Sequence, residues 1–578
     1  MVDVRAELRT LGRVPDLGLV VVPGGVGLAV PGRRWAVPTD EPARVVADLE
    51  AEFSPRWTWW SAASAVGGIA PVHLARCHDV AAVHRVVEGG WREDPAAAWA
   101  AAHGRPAPPP PSRRPAAAHG TGLLDLDGAA SADDPVTDGQ LSATWADGRA
   151  FDVDPPERLE RAARWAELAL EVAAAQSRRL AALPDRRVTP AGPPLPVQTG
   201  YAESAATLLA LELSRTGLPL DRATAERIVG AAVGPRPRTP AEEARARAER
   251  DEPVRRHLGT VDLRNPAQVL AALRGLGFDV PDTRAHRLEG FRDAHPGVAA
   301  LLQWRKAERL ATTYGYPWLD EHVGRDGRLR GAWSAADAAA GRMTAQAGLH
   351  NLPAELRPAV AAEPGFALVR ADLGQVEPRV LAAVSQDPGL VAATHDDDLY
   401  APVAAALAAD RPTAKVAVLA AMYGQTSGAA GEALRRMERA YPRALTYLRA
   451  AEEAGREGRD VRTYGGRLVR ISDLPPAEEG TALTARGRFA RNAVVQGAAA
   501  ELFKAWAATV RAGLAGTAGR IVLCLHDELL LHVPVAEADR AAGLLEVALA
   551  QTAGRWASGS GVRFVADVRV VQRWSEAK

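Results

Sequence analysis

The sequence predicts an α+β chain of several domains, and three observations lead there. Its 578 residues, 47% of them hydrophobic, exceed what one core organises and suffice for several. Short apolar runs that read as strands lie towards both ends, whereas helical periodicity fills most of the middle. Two proline-rich breaks, Ala101 to Ala118 with its Pro108-Pro109-Pro110-Pro111, and Pro190 to Pro196, punctuate the first third.

The elements follow in order. Leu19 to Val22, Gly27 to Val30 and Trp57 to Trp60 read as strands among helical patterns. Glu157 to Leu183 is an amphipathic helix with Leu159, Ala163, Leu170 and Val172 among its apolar positions. From Tyr201 to about Glu321 the reading is helical. Ala202 to Thr216 stops at Gly217, Asn265 is placed to cap a helix opened by Pro266, and Val298 to Tyr314 forms a third. A strand, Phe366 to Arg370, then leads into Ala371-Asp372. Helices return from Asp398 to Ala454, and Val522 to Val533 reads as an apolar hairpin.

Composition narrows the function. A formal net charge of zero weighs against a simple nucleic-acid coat protein, whose surface needs excess cations, but not against an enzyme with a locally basic cleft. Two distant cysteines, Cys77 and Cys524, build neither a disulfide framework nor a four-thiolate zinc site. The N-terminus has no signal-peptide character and no apolar run reaches membrane-spanning length, so a soluble cytoplasmic protein is expected, with no membrane partner. The lysines number only four (Lys306, Lys415, Lys504 and Lys578), so positive charge is nearly all arginine. A site that keeps a lysine in such a chain is one where a compact ammonium is of use.

The chemistry concentrates at the hairpin. Leu523-Cys524-Leu525-His526-Asp527-Glu528-Leu529 puts three polar groups at the tip of two apolar arms, where an ionised carboxylate is costly unless paired or metal-bound. Asp372 likewise ends an apolar strand. Either aspartate alone reads as a turn former or helix cap. Two carboxylates on neighbouring strand ends are what a two-metal phosphoryl-transfer site requires, with ions about 3.5–4 Å apart.

Ala371-Asp372-Leu373-Gly374-Gln375-Val376-Glu377-Pro378-Arg379 resembles motif A of the family A DNA polymerases, the bacterial polymerase I type. Leu525-His526-Asp527-Glu528-Leu529 resembles motif C. Between them Arg411-Pro412-Thr413-Ala414-Lys415, with Tyr423-Gly424, resembles motif B. Gly341-Arg342-Met343-Thr344, His350-Asn351 and Arg488 to Asn492 with Gln496-Gly497 are similar to segments that contact primer–template, so the resemblance covers roughly residues 200–578.

It implies a right-hand polymerase: a helical thumb (195–325), a palm with an antiparallel sheet (326–396 and 486–578) and helical fingers (397–485). An RNase H-like α/β exonuclease-type domain (1–190) would precede it. It implies DNA synthesis from dNTPs on a primer–template, in repair or gap-filling replication, by a monomer in the bacterial cytoplasm near the nucleoid. Asp372, Asp527 and Glu528 would hold two Mg²⁺ ions, for which Mn²⁺ could substitute. Lys415 would act in catalysis and, with Arg411, Gln375, Glu377, Leu419, Tyr423 and Tyr400, bind the nucleotide. Arg342, Asn351, Arg488, Asn492, Gln496 and His526 would contact DNA. Lys415 and Arg411 are one helical turn apart and suit a triphosphate, and minor-groove contacts by Arg342, Arg488 and Gln496 would test pairing without preferring a sequence.

Two departures stand out. Motif B usually carries an aromatic residue four positions after its lysine, where this chain has Leu419, and Tyr400 stands where a phosphate-contacting histidine is usual. Weakened nucleotide affinity or altered sugar discrimination is therefore expected. In the N-terminal region the acids of a proofreading exonuclease are missing: Val20 to Gly25 lacks an Asp-x-Glu, Trp60 stands where an Asp is expected, and Trp165 where the last one belongs. A scaffold without metals is expected, with no 5′ nuclease domain upstream. Cys77, His78 and His84 read as residues of that scaffold rather than a substitute metal site. The alternatives are a nearly inactive primer–template binder and an enzyme that retains exonuclease activity.

Overall fold

A computed structural model describes residues 4–12, 14–70, 72–110, 134–337, 339–424, 429–475, 480–525 and 527–577. The end of the proline-rich stretch and His526 lie outside the described residues. The chain forms two compact units. One comprises Met1–Leu213, Trp333–Thr344 and Val369–Val570; the other comprises Ser214–Ala332, Ala345–Leu368 and Val571–Lys578.

The first unit contains a five-stranded mixed sheet near the N-terminus. Strands Asp16–Val22, Gly25–Val30 and Arg33–Pro38 form an antiparallel meander, and Arg56–Trp59 and Arg76–Asp79 add in parallel on the other side of the first strand. Leu17, Leu19, Val26, Leu28, Trp57 and Trp59 are buried along these strands. The amphipathic helix is present as Pro155–Ala182 and lies on the sheet. Gly27 permits the close approach, because a Cβ there would come within 2.2 Å of the Ala162 backbone.

The second sheet of this unit has the order Arg520–Leu525, Glu528–Pro534, Phe366–Leu373, Ala566–Val571. Its first two strands are the expected hairpin, antiparallel and closed by the pair Leu525 and Glu528. The 34-residue helix Gly480–Gly513 packs against Pro442–Arg456 and Ala538–Trp556. The helical reading of 398–454 resolves into Tyr400–Ala406, Arg411–Tyr423, Ala429–Ala440 and Pro442–Arg456. Asp410 divides them by capping Arg411–Tyr423, its carboxylate accepting the Thr413 N–H at 2.9 Å. Gly424 ends that helix in the left-handed region at φ 65°.

The second unit is mainly helical, around Val254, Val269, Leu273, Leu301, Leu302 and Trp304. Asn265 caps Pro266–Gly275 as expected, accepting the Ala267 N–H at 3.0 Å. The helix placed at Val298 to Tyr314 spans Pro296–Thr313, its proline fitting the first turn, where no N–H is needed. Among the described residues no helix is long and apolar enough to cross a membrane.

Candidate active site

The strand Phe366–Leu373 buries Ala367, Leu368, Val369, Ala371 and Leu373. Side chains alternate along a strand, so Arg370 and Asp372 leave it on one face. The hairpin's last paired residues are Leu525 and Glu528, and the Asp527 carbonyl accepts the Leu373 N–H at 2.9 Å. That bond fixes the hairpin tip beside the end of the central strand and brings together the two aspartates singled out from the sequence.

The pair is electrostatically strained. Burial first, and the nearby charge of Asp527 second, push the Asp372 carboxyl up to about 6, although Arg370 pulls the other way. Asp527 is raised by burial and then by the charges of Glu528 and Glu377. Arg370 ion-pairs with Asp372, with Glu528 at 2.8 Å and with Asp567 at 3.4 Å. Burial opposes its charge, but these acids hold its pKa above the usual value. Among the described residues no three acid, histidine or cysteine side chains converge as a ready metal cage; at this site a guanidinium stands among the acids. The donors still suit a hard divalent cation. Asp372 and Asp527 offer carboxylate oxygens whose ionised forms burial disfavours, and at Asp372 the neighbouring aspartate adds repulsion that a cation would relieve.

A second group forms on the helix side. Tyr423 donates its hydroxyl hydrogen to Glu377 at 3.0 Å. Burial and then the Glu377 charge push the Tyr423 phenol up to about 12, and Gln496 hydrogen-bonds the same phenol. Burial raises Glu377 too, opposed by the Tyr423 bond and the charge of Arg342. Four residues singled out separately, Arg342, Glu377, Tyr423 and Gln496, thus meet.

Arg411 pairs with Asp398 at 2.5 Å and lies 5.6 Å from the Tyr400 ring centroid. Lys415 is exposed one turn further along, and Leu419 is half-buried. Gln375, at φ 49°, turns its amide oxygen to the Leu399 N–H at 3.2 Å. Arg488, Asn492 and Gln496 recur every fourth position on the long helix and share a face. Gly424 lets Arg488 pack close, since a Cβ there would meet its Cγ at 2.9 Å. Asn351 lies in the second unit, where its carbonyl accepts from Tyr314 at 2.7 Å and Arg309 at 2.6 Å.

Three residues escaped the sequence reading of the site. Arg370 and Asp567 belong to the acid cluster. Arg379, fully buried, donates to the carbonyls of Gly374, Thr394, Arg563, Asp396 and Asp397 at 2.6–2.9 Å, so it ties the start of its helix to two loops. Arginine two positions before Asp372 was the available signal for the first.

The N-terminal positions where exonuclease acids were sought also converge. Leu19 to Val22, Trp60, Ser61 and Trp165 line one cavity of about 360 Å³ with Trp145 and Phe151. Trp60 stacks on Trp165 at 4.3 Å and donates its indole N–H to the Trp165 carbonyl at 3.0 Å. The carboxylates among its described lining residues are Glu93 and Asp147. Cys77 is buried, and His78 donates to Gln176 through Nε2 at 2.9 Å.

The family model for DNA polymerase family A matches residues 262–576. The chain belongs to this family. It is 31% identical over 324 residues to the thermostable DNA polymerase I of Thermus thermophilus, a match covering 51% of this chain and 38% of that protein. It is 32% identical over 309 residues to the DNA polymerase I of Chloroflexus aurantiacus, covering 48% and 32%. The chain spans about a third of the length of these relatives. A solved structure, the POL domain of Pol1 from M. smegmatis in complex with DNA primer-template and dNTP, aligns with TM-score 0.67 at 20% identity. It covers 99% of this chain and 98% of that one, a likeness of fold. This family A chain is therefore an α+β right-hand fold, as its motifs imply.

Proposed function

We propose that the chain is a template-directed DNA polymerase that adds deoxynucleotides to a primer 3′-hydroxyl. The observation that carries this is the meeting of Asp372 and Asp527 at adjacent strand ends within a family A chain. Family A membership supports divalent metal ions as cofactors, and two Mg²⁺ held by these aspartates is the reading the donor set supports. Bound there, divalent ions supply the Lewis acidity that activates the attacking hydroxyl and steadies the leaving oxygen.

The chain's own residues do the rest. Lys415 and Arg411 present an ammonium and a guanidinium to the triphosphate from one helix face. Glu377, locked by Tyr423, presents bulk and a polar edge where the sugar would lie, which favours deoxynucleotides. Arg342, Arg488 and Gln496 supply minor-groove donors beside this pair. The neighbour's primer–template and dNTP support the same partners here.

The N-terminal domain reads as exonuclease-like scaffold. Its mixed sheet supports that reading, and so does the Trp60–Trp165 stack at positions where such a domain would need metal-binding acids.

Labelled primer–template incubated with dNTPs and Mg²⁺ or Mn²⁺ tests the whole reading. Extension without shortening is expected. Binding without extension would make the chain a non-catalytic binder, and metal-dependent shortening of the 3′ end would restore a nuclease role to the N-terminal domain.

The fingers carry a separate prediction. Leu419 is half-buried and offers apolar contact without a ring face. Leu419→Phe is expected to lower the KM for dNTPs about two- to tenfold, since aromatic stacking contributes about 0.5–1.5 kcal/mol. Single-nucleotide incorporation kinetics check this, and an unchanged KM would show that the ring is not what this pocket lacks.

A further inference from the structure

Arg370 is 5% exposed, yet its guanidinium reaches carboxylates on three neighbouring strands: Asp372 on its own, Glu528 on one side and Asp567 on the other. A buried guanidinium is tolerated only where its donors are met. Its planar fork can serve three acids at once from fixed directions, which an ammonium on a flexible stem cannot. With Asp527 alongside, four acids crowd this end of the sheet, and the cation among them is supplied by the chain itself.

We propose that Arg370 is a positioning residue of the metal site: it holds Glu528 and Asp567 in the sheet, out of the ligand set, and neutralises part of Asp372, so that the free enzyme binds divalent ions weakly through Asp372 and Asp527. This rests on the reading that those two aspartates are the ligands. It also gives Glu528, one residue from Asp527 but facing the guanidinium, a role other than metal ligand. Weak binding in the free state would leave loading of the site to the arrival of the nucleotide's own phosphate oxygens.

The test is Mn²⁺ binding to the full chain without DNA or nucleotide. Electron paramagnetic resonance of unbound Mn²⁺ reads the affinity, and the metal-induced rise in melting temperature reads its linkage to folding. Arg370→Gln is expected to bind Mn²⁺ about tenfold tighter or more, because a unit charge a few ångströms from a divalent ion is gone and Glu528 is released. Its melting temperature should rise further on adding Mn²⁺ than the wild type's. Adding Glu528→Gln to Arg370→Gln should return the affinity towards wild type. Arg370→Lys, which keeps the charge but not the fork, should fall between.

A folded Arg370→Gln chain with wild-type affinity and wild-type thermal response overturns the proposal. If that variant folds only with Mn²⁺ present, the proposal stands. If it folds under neither condition, Arg370→Lys decides, and wild-type Mn²⁺ affinity in that chain overturns the proposal. Binding that Asp372→Asn leaves unchanged in both backgrounds removes the two-aspartate reading itself, and this proposal with it.

Discussion

Asp527→Asn in the full chain is expected to lower nucleotide incorporation by about a thousandfold or more, roughly 4 kcal/mol of transition-state stabilisation, without lowering the melting temperature. The amide keeps the size and shape of the carboxylate but cannot supply an anionic ligand. The backbone that places it is untouched, because the Leu373 N–H bonds the Asp527 carbonyl and not its side chain. Stability should hold or rise. The folded-state pKa of Asp527 lies above its unfolded value, so ionising it at neutral pH works against the fold. This carboxyl favours the native state below the unfolded pKa and loses that contribution as pH rises through the folded one. The amide has no such loss. Asp567→Asn is the matched control, since Asp567 shares the cluster but is half exposed and is expected to keep most of the activity. Steady-state primer extension with thermal unfolding on the same preparations reads both arms. Incorporation that survives Asp527→Asn would remove the carboxylate pair from the mechanism.

The sequence revealed the ends of this site better than its middle. Asp372 and Asp527 were legible because each breaks an apolar strand with a charge, and the hairpin was legible because its polar trio could only be a tip. Arg370 was not, although it stands two residues from Asp372. Alternation along a strand says that the two share a face, but not whether that face meets solvent or other acids. Asp567 is remote from both motifs, and only the strand order Glu528–Pro534, Phe366–Leu373, Ala566–Val571 brings it alongside. Arg379 reads in sequence as one more polar residue of a helix, and its work on five carbonyls depends on how two loops close over it. In the N-terminal region, spacing alone located Val20 to Val22, Trp60 and Trp165, and the structure gathers them around one cavity. Helix ends were legible where a cap or proline marked them. The long helical reading after Asp398 ran through breaks because alanine-rich sequence keeps an apolar face almost anywhere.

Lys504→Met is expected to cost about 3–5 kcal/mol in the stability of the first unit, the penalty for leaving a buried charge without its partner. Lys504 is 1% exposed and donates to both oxygens of Glu203 at 2.7 Å, and Glu203 is itself buried with Arg467 2.6 Å away. Burial draws the ammonium down to about 8, Glu203 pulling the other way, so the pair is charged at neutral pH. One of only four lysines in this arginine-rich chain, Lys504 meets both oxygens of a single carboxylate with one compact ammonium. Glu203→Leu combined with Lys504→Met should recover much of the loss, because an apolar pair of similar volume leaves no charge stranded. Glu501 adjoins the network, accepting from Thr463 and from the Gly465 N–H at 2.9 Å, and burial pushes its carboxyl up to about 7. A carboxyl raised this far stabilises the fold fully below its unfolded pKa and loses that contribution as pH climbs from about 4.5 to about 7. Glu501→Gln should therefore flatten the decline in urea midpoint across that window, while Lys504→Met lowers the midpoint throughout it. A Lys504→Met chain whose unfolding midpoint matches the wild type's would show that Arg467 alone satisfies Glu203 and that the lysine is dispensable to the fold.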